Sequence, residues 1–114
     1  MQSILSTGAT LDAVFATNDF AAIGAMGALR DAGLVAGADV AVIGYNDVPL
    51  SGAIPLPLTT VHSAHNRMGQ EAVELIVKLL SGERPASVLL PPTLVAREST
   101  LGVAAARAAD SRRA

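Results

Sequence analysis

The sequence contains no cysteine and no tryptophan, and it is poor in aromatic residues. Aromatic side chains make up only 3% of the 114 residues, although 51% of the residues are apolar. The absence of cysteine excludes disulfides and thiolate metal sites and is typical of a reducing compartment. A core built from alanine, valine, leucine and isoleucine favours close contact between helices and a sheet. We therefore expect an α/β domain.

An excess of basic charge and a long apolar run are also missing. The formal net charge is −2, which offers no basic surface for nucleic acid. No apolar run approaches the ~20 residues that a membrane-spanning helix needs. The opening MQSILSTGATLD has neither the basic region nor the apolar core of a secretory signal. These absences predict a cytoplasmic domain with no membrane contact and no DNA binding of its own.

The apolar pattern predicts a strand, a helix and a second strand in the first 43 residues. Residues 12–16, DAVFA, form a short apolar run with β-formers and predict a buried strand. A helix is predicted from Asn18 to about Ala32, because Gly33 is suited to the left-handed conformation that ends helices. Residues 39–43, DVAVI, predict a second strand of the kind found in helix-covered parallel sheets. Together they predict one βαβ unit.

The rest of the chain alternates between proline-rich and periodic segments. Residues 44–57, GYNDVPLSGAIPLP, predict a long irregular loop. Residues 58–63, LTTVHS, predict a third strand, and 64–81 predict a helix with one apolar face. Residues 87–99 predict two short extended segments interrupted by a pair of prolines.

Polar groups follow each of the three predicted strands. Ligands of open α/β sheets bind beyond the carboxyl ends of the strands, so neighbouring strands would bring these groups to one cleft. Carboxamides, carboxylates and one aromatic ring suit a small polyhydroxylated or ring-bearing ligand, such as a sugar or nucleoside. Asp19, Tyr45 and His62 belong to the same strand ends. The candidate ligand-binding residues are Asn18, Phe20, Asn46, Asp47, Ser63 and His65.

Simpler interpretations of the same residues stay open. Asn or Asp at a strand-to-helix junction is often only a helix cap, and residues 45–47 after Gly44 also fit a turn. His62 and His65 have no third ligand at suitable spacing, so no metal is expected. The GAMG segment lies inside a predicted helix without the spacing of a phosphate loop, and no cofactor is expected. No oriented nucleophile is found, which argues against an enzyme.

The series ND, GYND, PLTTV, MGQEAV and LVARES resembles the effector-binding region of LacI/GalR-type transcriptional repressors. The resemblance covers residues 11–102. It implies a periplasmic-binding-protein-like fold, a three-layer arrangement with a mostly parallel sheet in Rossmann-like subdomains and a ligand cleft between them. It also implies a homodimer that binds operator DNA only through an N-terminal helix-turn-helix domain. Residues 1–102 are then the C-terminal part of the sensor domain, and 103–114 are expected to be a disordered tail.

The resemblance implies roles for particular residues. Asn18 matches a position that hydrogen-bonds the effector, and Phe20 and His65 match positions that line the pocket. Asn46 stands where many members have an aspartate that binds ligand hydroxyls. Because an amide cannot accept two hydroxyls as a carboxylate does, this departure leaves sugar specificity open, and Asp47 supplying the charge is a hypothesis.

Other positions match the subunit interface of the family. Ile23, Gly27 and Ile54 fall in segments that resemble it, although a core role for Ile23 fits equally well. By the family topology, helix 64–81 and a strand near Leu89 belong to the other subdomain. The faces they would expose predict marginal stability or self-association of the isolated chain. A monomer with a cooperative melt at ordinary mesophile temperatures would contradict this.

The leading functional hypothesis is a ligand-sensing, dimerising part of a transcriptional repressor. The alternative is the same fold in the sugar-binding protein of a transport system. The coding sequence upstream of Met1 discriminates between them, because it encodes a helix-turn-helix in one case and a signal peptide in the other.

Overall fold

The computed structural model describes residues 1–102 and contains a four-stranded sheet. The strands are β1 (Ala13–Phe15), β2 (Ala41–Asn46), β3 (Thr59–His62) and β4 (Thr93–Val95), in the order β1-β2-β3-β4. The first three are parallel, and β4 is antiparallel to β3. The mostly parallel sheet with its helices confirms the predicted fold class.

Four named helices accompany the sheet within residues 1–102. They are α1 (Gln2–Leu5), α2 (Asp19–Asp31), α3 (Pro49–Ala53) and α4 (His65–Leu80), and residues 98–102 are also helical. The sequence patterns did not predict α1 or α3. Pro49 is the first residue of α3, a position where the fixed φ of proline and its missing N–H suit a helix.

The ends of α2 confirm the local signals in the sequence. The Oδ1 atom of Asn18 accepts a hydrogen bond of 2.8 Å from the backbone N–H of Ala21. At the other end Gly33 has a φ of 78°, and the N–H of Leu34 donates to the carbonyl of Leu29 at 2.9 Å. This is the arrangement that satisfies the last carbonyls of a helix.

The core lies between α2, the sheet and the segment that precedes β2. Leu29, Val42 and Leu58 are its largest fully buried apolar side chains. Alanines such as Ala22 and Ala25 form the buried face of α2, so the helix axis can approach β2 closely. Small residues therefore replace aromatic ones in filling this core, as the composition predicts.

The first strand is less buried than predicted. Val14 packs against the core, but Ala13 and Phe15 are exposed, with 67% of Phe15 accessible. The reason is that β1 is the edge of the sheet, and alternate side chains of a strand point to opposite faces. Only one of its faces is covered by the described residues.

The predicted loop 44–57 is largely regular structure, so that prediction is wrong. Gly44, Tyr45 and Asn46 continue β2, where they pair with β3, and Pro49–Ala53 form α3. The segment 87–99 contains one strand, β4, rather than two extended pieces. The predicted strand near Leu89 is absent from the described part of the chain, where Leu89 is 91% exposed.

Helix α4 has the predicted apolar stripe, but in the part of the chain that the structure describes none of its residues is buried. The exposed members include Met68, Ile76 and Leu79. Because this apolar face is uncovered, we expect the isolated chain to self-associate. Within residues 1–102 no helix combines the length and apolarity required to cross a membrane. The predicted tail, residues 103–114, lies outside the described residues.

Candidate ligand-binding site

A groove of about 570 Å³ lies at the carboxyl ends of β2 and β3. Four of the six predicted ligand-binding residues line it, namely Asn46, Asp47, Ser63 and His65. The other two do not: Asn18 caps α2, and Phe20, 65% exposed, lies in the first turn of that helix. The remaining lining residues are Val48, Pro49, His62, Ala64, Asn66 and Arg67.

The end of β2 has an unusual backbone. Asn46 has a φ of 108° and Asp47 a φ of 55°. Residues with side chains rarely adopt positive φ, and sparsely populated conformations cost about 1–3 kcal/mol each. The backbone N–H groups at this point are held by side chains: Asp47 donates to Thr60 Oγ1 at 3.3 Å, and Val48 donates to Asp19 Oδ2 at 2.8 Å. The chain therefore turns sharply where it meets the groove.

Asp19 supports this turn from inside the protein. Its carboxylate is fully buried and accepts hydrogen bonds from the hydroxyls of Ser51 and Thr60 and from the N–H of Val48. Gly44 makes room for it, because a Cβ on that glycine would collide with Asp19 Oδ1. Asp19 thus lies at the expected strand end but is committed to internal contacts and does not line the groove.

Asp47 is held by two side chains from other segments. Its Oδ1 accepts a hydrogen bond of 2.7 Å from Arg97 Nη2, and its Oδ2 lies 3.2 Å from His62 Nδ1. The side chains of Asp47 and Arg97 are only 18% and 23% exposed. The carboxylate is therefore compensated by a neighbouring cation, and each of its oxygens has capacity for a further hydrogen bond.

Sequence reasoning missed Arg97, although the LVARES motif contains it. Arg97 is 50 positions from Asp47, and no local pattern links the two. Beyond Asp47, its Nη1 donates to the carbonyl of Leu58 at 2.8 Å, and its backbone N–H donates to Thr59 Oγ1 at 2.7 Å. The segment after β4 is thereby fastened to the start of β3.

The opposite wall of the groove is the start of α4. Ser63 is buried there, whereas His65 and Arg67 are exposed, and Arg67 forms an ion pair with Glu71 one turn along. Among the described residues no side chain caps the first turn of α4, and the turn contains no acidic residue. The backbone N–H of His65 donates to the carbonyl of Ser63 at 2.7 Å. No group of three potential metal ligands occurs among residues 1–102.

The three predicted interface residues lie together on another face. Ile23, Gly27 and Ile54 line a groove of about 380 Å³ between α2 and the segment after α3. Each of them is half-buried, and Ile23 and Ile54 also pack against the core. Both interpretations of Ile23 made from the sequence are therefore compatible with its position.

Parallel strands with a polar groove at their carboxyl ends place this chain in the general class of α/β domains. Comparison with known proteins identifies its family. A family model described as a periplasmic binding protein-like domain matches residues 3–100. The chain is 37% identical to the lactose operon repressor of Escherichia coli over 99 residues, which are 86% of this chain and 28% of that protein.

Two solved structures extend the comparison. A Lac repressor dimer bound to operator and the anti-inducer ONPF matches with a TM-score of 0.83 and 36% identity, covering 87% of this chain and 35% of that chain. A complex of the transcriptional regulator CelR with cellobiose matches with a TM-score of 0.79 and 34% identity, covering 86% and 31%.

The first of these findings assigns the chain to the periplasmic-binding-protein-like domains. Together with the similar repressors, the match to this family model shows that the chain belongs to the LacI-type family of transcriptional regulators. It corresponds to their effector-binding domain, as the sequence motifs predict. The chain spans about a third or less of the length of these relatives.

Proposed function

We propose that this chain is the effector-binding and dimerising part of a LacI-type transcriptional repressor. It acts in the cytoplasm, binds a small sugar-like or nucleoside-like effector and catalyses no reaction. The observation that carries the proposal is the groove at the ends of β2 and β3, where Asn46, Asp47, Ser63 and His65 converge. The cellobiose complex of the similar regulator CelR supports a sugar-like ligand.

The groove offers complementary chemistry for such a ligand. The carboxamide of Asn46 can donate to one hydroxyl and accept from another, and the free lone pairs of Asp47 can accept from a third. The hydroxyl of Ser63 and the ring of His65 complete the wall on the α4 side. With an amide at position 46 instead of a second carboxylate, binding depends on single hydroxyls more than on a vicinal pair.

Asn18 and Phe20 contribute from the adjacent strand end in this proposal. Because Asn18 uses its Oδ1 atom to cap α2, its Nδ2 group remains free to donate to the ligand. The exposed ring of Phe20 supplies an apolar face for a sugar or a base.

Dimerisation occurs through the groove that contains Ile23, Gly27 and Ile54. A glycine on a helix surface permits close approach of a second copy. Apart from its chain neighbours and its own helix backbone, none of the described residues comes within 4 Å of a Cβ added at Gly27. Operator DNA is bound through a helix-turn-helix domain outside the 114 residues. Residues 1–102 form part of the sensor domain.

The effector site is tested by calorimetric titration of the full-length gene product with a panel of mono- and disaccharides and nucleosides. The Asn46→Ala variant should bind the best ligand at least about tenfold more weakly, the factor expected for losing one or two buried hydrogen bonds. Gln70→Ala is a matched carboxamide control on α4, outside the groove lining. Unchanged affinity in both Asn18→Ala and Asn46→Ala would show that the site is elsewhere.

The interface is tested by comparing two glycine substitutions on α2. Gly27→Lys should shift the protein from dimer to monomer in sedimentation equilibrium. Gly24→Lys, which has equally open space around its Cβ position among the described residues but lies outside that groove, should leave the dimer intact. Equal dimerisation of both variants would rule out this face as the interface.

A further inference from the structure

Two adjacent residues of the groove, Asn46 and Asp47, both have positive φ. A conformation that side-chain-bearing residues avoid persists only when surrounding contacts enforce it. The backbone contact at Asp47 is a long one, 3.3 Å to Thr60 Oγ1. The 2.7 Å hydrogen bond from Arg97 to the Asp47 carboxylate is shorter, and it is charge-assisted. His62 Nδ1 contacts the other carboxylate oxygen at 3.2 Å, so Arg97 makes the shorter of these two side-chain contacts with Asp47.

Arg97 can act as a restraint because it is itself anchored at two other points. Its second guanidinium nitrogen is bound to the carbonyl of Leu58, and its backbone N–H is bound to the hydroxyl of Thr59. Both anchors lie at the start of β3, a central strand of the sheet. The planar fork of arginine places separate nitrogens at Leu58 and Asp47, whereas lysine carries its three N–H groups on a single nitrogen.

We propose that Arg97 is a positioning residue for the ligand groove. By binding Asp47, it holds the Asn46–Asp47 turn in the strained conformation that presents both side chains to the effector. Arg97 does not line the groove and acts through Asp47. The effect on ligand binding rests on the proposed function of the groove, whereas the effect on the turn does not.

The turn is tested without any ligand, by hydrogen exchange of individual amides measured by NMR in the full-length protein. In Arg97→Gln, the amides of Asp47 and Val48 should exchange at least about tenfold faster, as expected on losing a charge-assisted hydrogen bond. The amides of Val42 and Ile43, in the middle of β2, should keep their rates. Arg84→Gln, which removes an exposed arginine, serves as the matched control and should change none of them.

Two results of this experiment would overturn the proposal. Unchanged exchange at Asp47 and Val48 would mean that Arg97 does not hold the turn. A uniform rise that includes Val42 and Ile43 would mean that the substitution only lowers global stability. Both results are independent of whether an effector is ever found.

A double-mutant cycle then tests the route through Asp47, with lactose and cellobiose as probes beside the best ligand of the panel. Arg97→Gln should weaken binding about tenfold in the parent protein. In an Asp47→Asn background the same substitution should have less than about a threefold effect, since contacting residues are coupled. Equal effects in both backgrounds would refute action through Asp47. If no probe binds the parent protein, the proposed function fails and the exchange data alone decide the role of Arg97.

Discussion

Two Asn-Asp pairs lie at the carboxyl ends of neighbouring parallel strands, and they have different roles. After β1, Asn18 has an extended backbone and caps α2, while Asp19 is fully buried and accepts three hydrogen bonds. At the end of β2, Asn46 and Asp47 have positive φ and line the groove. The difference comes from the next element of the chain. A helix starts directly after Asn18, whereas the second pair must turn before α3 begins at Pro49.

The two pairs also depend on each other. The carboxylate of Asp19 binds the N–H of Val48, directly after the second pair, and the hydroxyl of Thr60. The same hydroxyl accepts from the N–H of Asp47. The first pair therefore forms the internal support of the second, and this division of roles can be tested one residue at a time.

The largest effect is expected from Asp19→Asn. An amide of the same shape places an NH₂ group against hydrogen-bond donors in a fully buried site. We expect a loss of about 3 kcal/mol in the free energy of unfolding, typical of a broken buried network. Urea denaturation followed by circular dichroism measures it. Asp12→Asn, at an exposed position, is the control and should stay within about 0.5 kcal/mol of the parent. A small effect at Asp19 would mean that the first pair is not a structural support.

A somewhat smaller effect is expected from Gly44→Ala. The added methyl group would collide with Asp19 and also approach the side chain of Leu58. Overpacking of this kind costs about 1–3 kcal/mol, measurable by the same denaturation. Gly69→Ala is the opposite case. Apart from the chain neighbours and the backbone of α4 itself, none of the described residues lies within 4 Å of its Cβ position, so the substitution should stabilise the protein by up to about 1 kcal/mol. If Gly44→Ala were tolerated equally well, the close packing of Asp19 on β2 would be wrong.

Two substitutions of Asn18 distinguish its role as a helix cap from its proposed role in ligand binding. Asn18→Ala should cost about 1 kcal/mol of stability through the lost cap. Asn18→Asp keeps an acceptor for the N–H of Ala21 and should retain the parent stability, but it removes the Nδ2 donor. Denaturation and ligand titration of both variants give the answer. Parent-like affinity in Asn18→Asp would reduce Asn18 to a cap alone, which is one of the interpretations that its sequence position left open.

Local signals account for the parts of the fold that the sequence predicts well. Asn18 and Gly33 mark the ends of α2 through contacts within four or five residues, and the apolar run of 39–43 indicates a parallel strand. The prolines of 44–57 mislead, because Pro49 starts a helix instead of interrupting one. Gly44 likewise suggests a turn, yet it pairs with Thr60 within the sheet, and its missing side chain leaves room for Asp19.

Long-range partners account for the parts of the site that could not be predicted. Asp19 finds its side-chain partners 32 and 41 residues away, and Arg97 reaches Asp47 across 50 residues. No spacing rule connects such positions. From the sequence, Asp19 and Asp47 are both acidic residues after a strand. Only the packed sheet shows that one is internal and the other faces the groove.

The smallest change in stability is expected from Asn46→Gly, and this variant directly tests the backbone strain at Asn46. Glycine adopts a φ of 108° without a steric penalty, but it also gains freedom in the unfolded chain. The two effects partly cancel, so we expect a gain below about 1 kcal/mol in denaturation experiments. Because the carboxamide is lost, ligand affinity should fall at least about tenfold.

Asn66→Gly is the matched control for this variant. Asn66 lies in the first turn of α4 and also lines the groove, but its φ is not positive. Glycine should therefore destabilise the helix there by up to about 1 kcal/mol. If the two substitutions changed the free energy of unfolding in opposite directions, this would establish that the conformation of Asn46 lowers the stability of the protein while it presents a binding group. If Asn46→Gly destabilised the protein as Asn66→Gly does, the backbone at Asn46 would not be strained. Strain could then not explain how the turn contributes to binding.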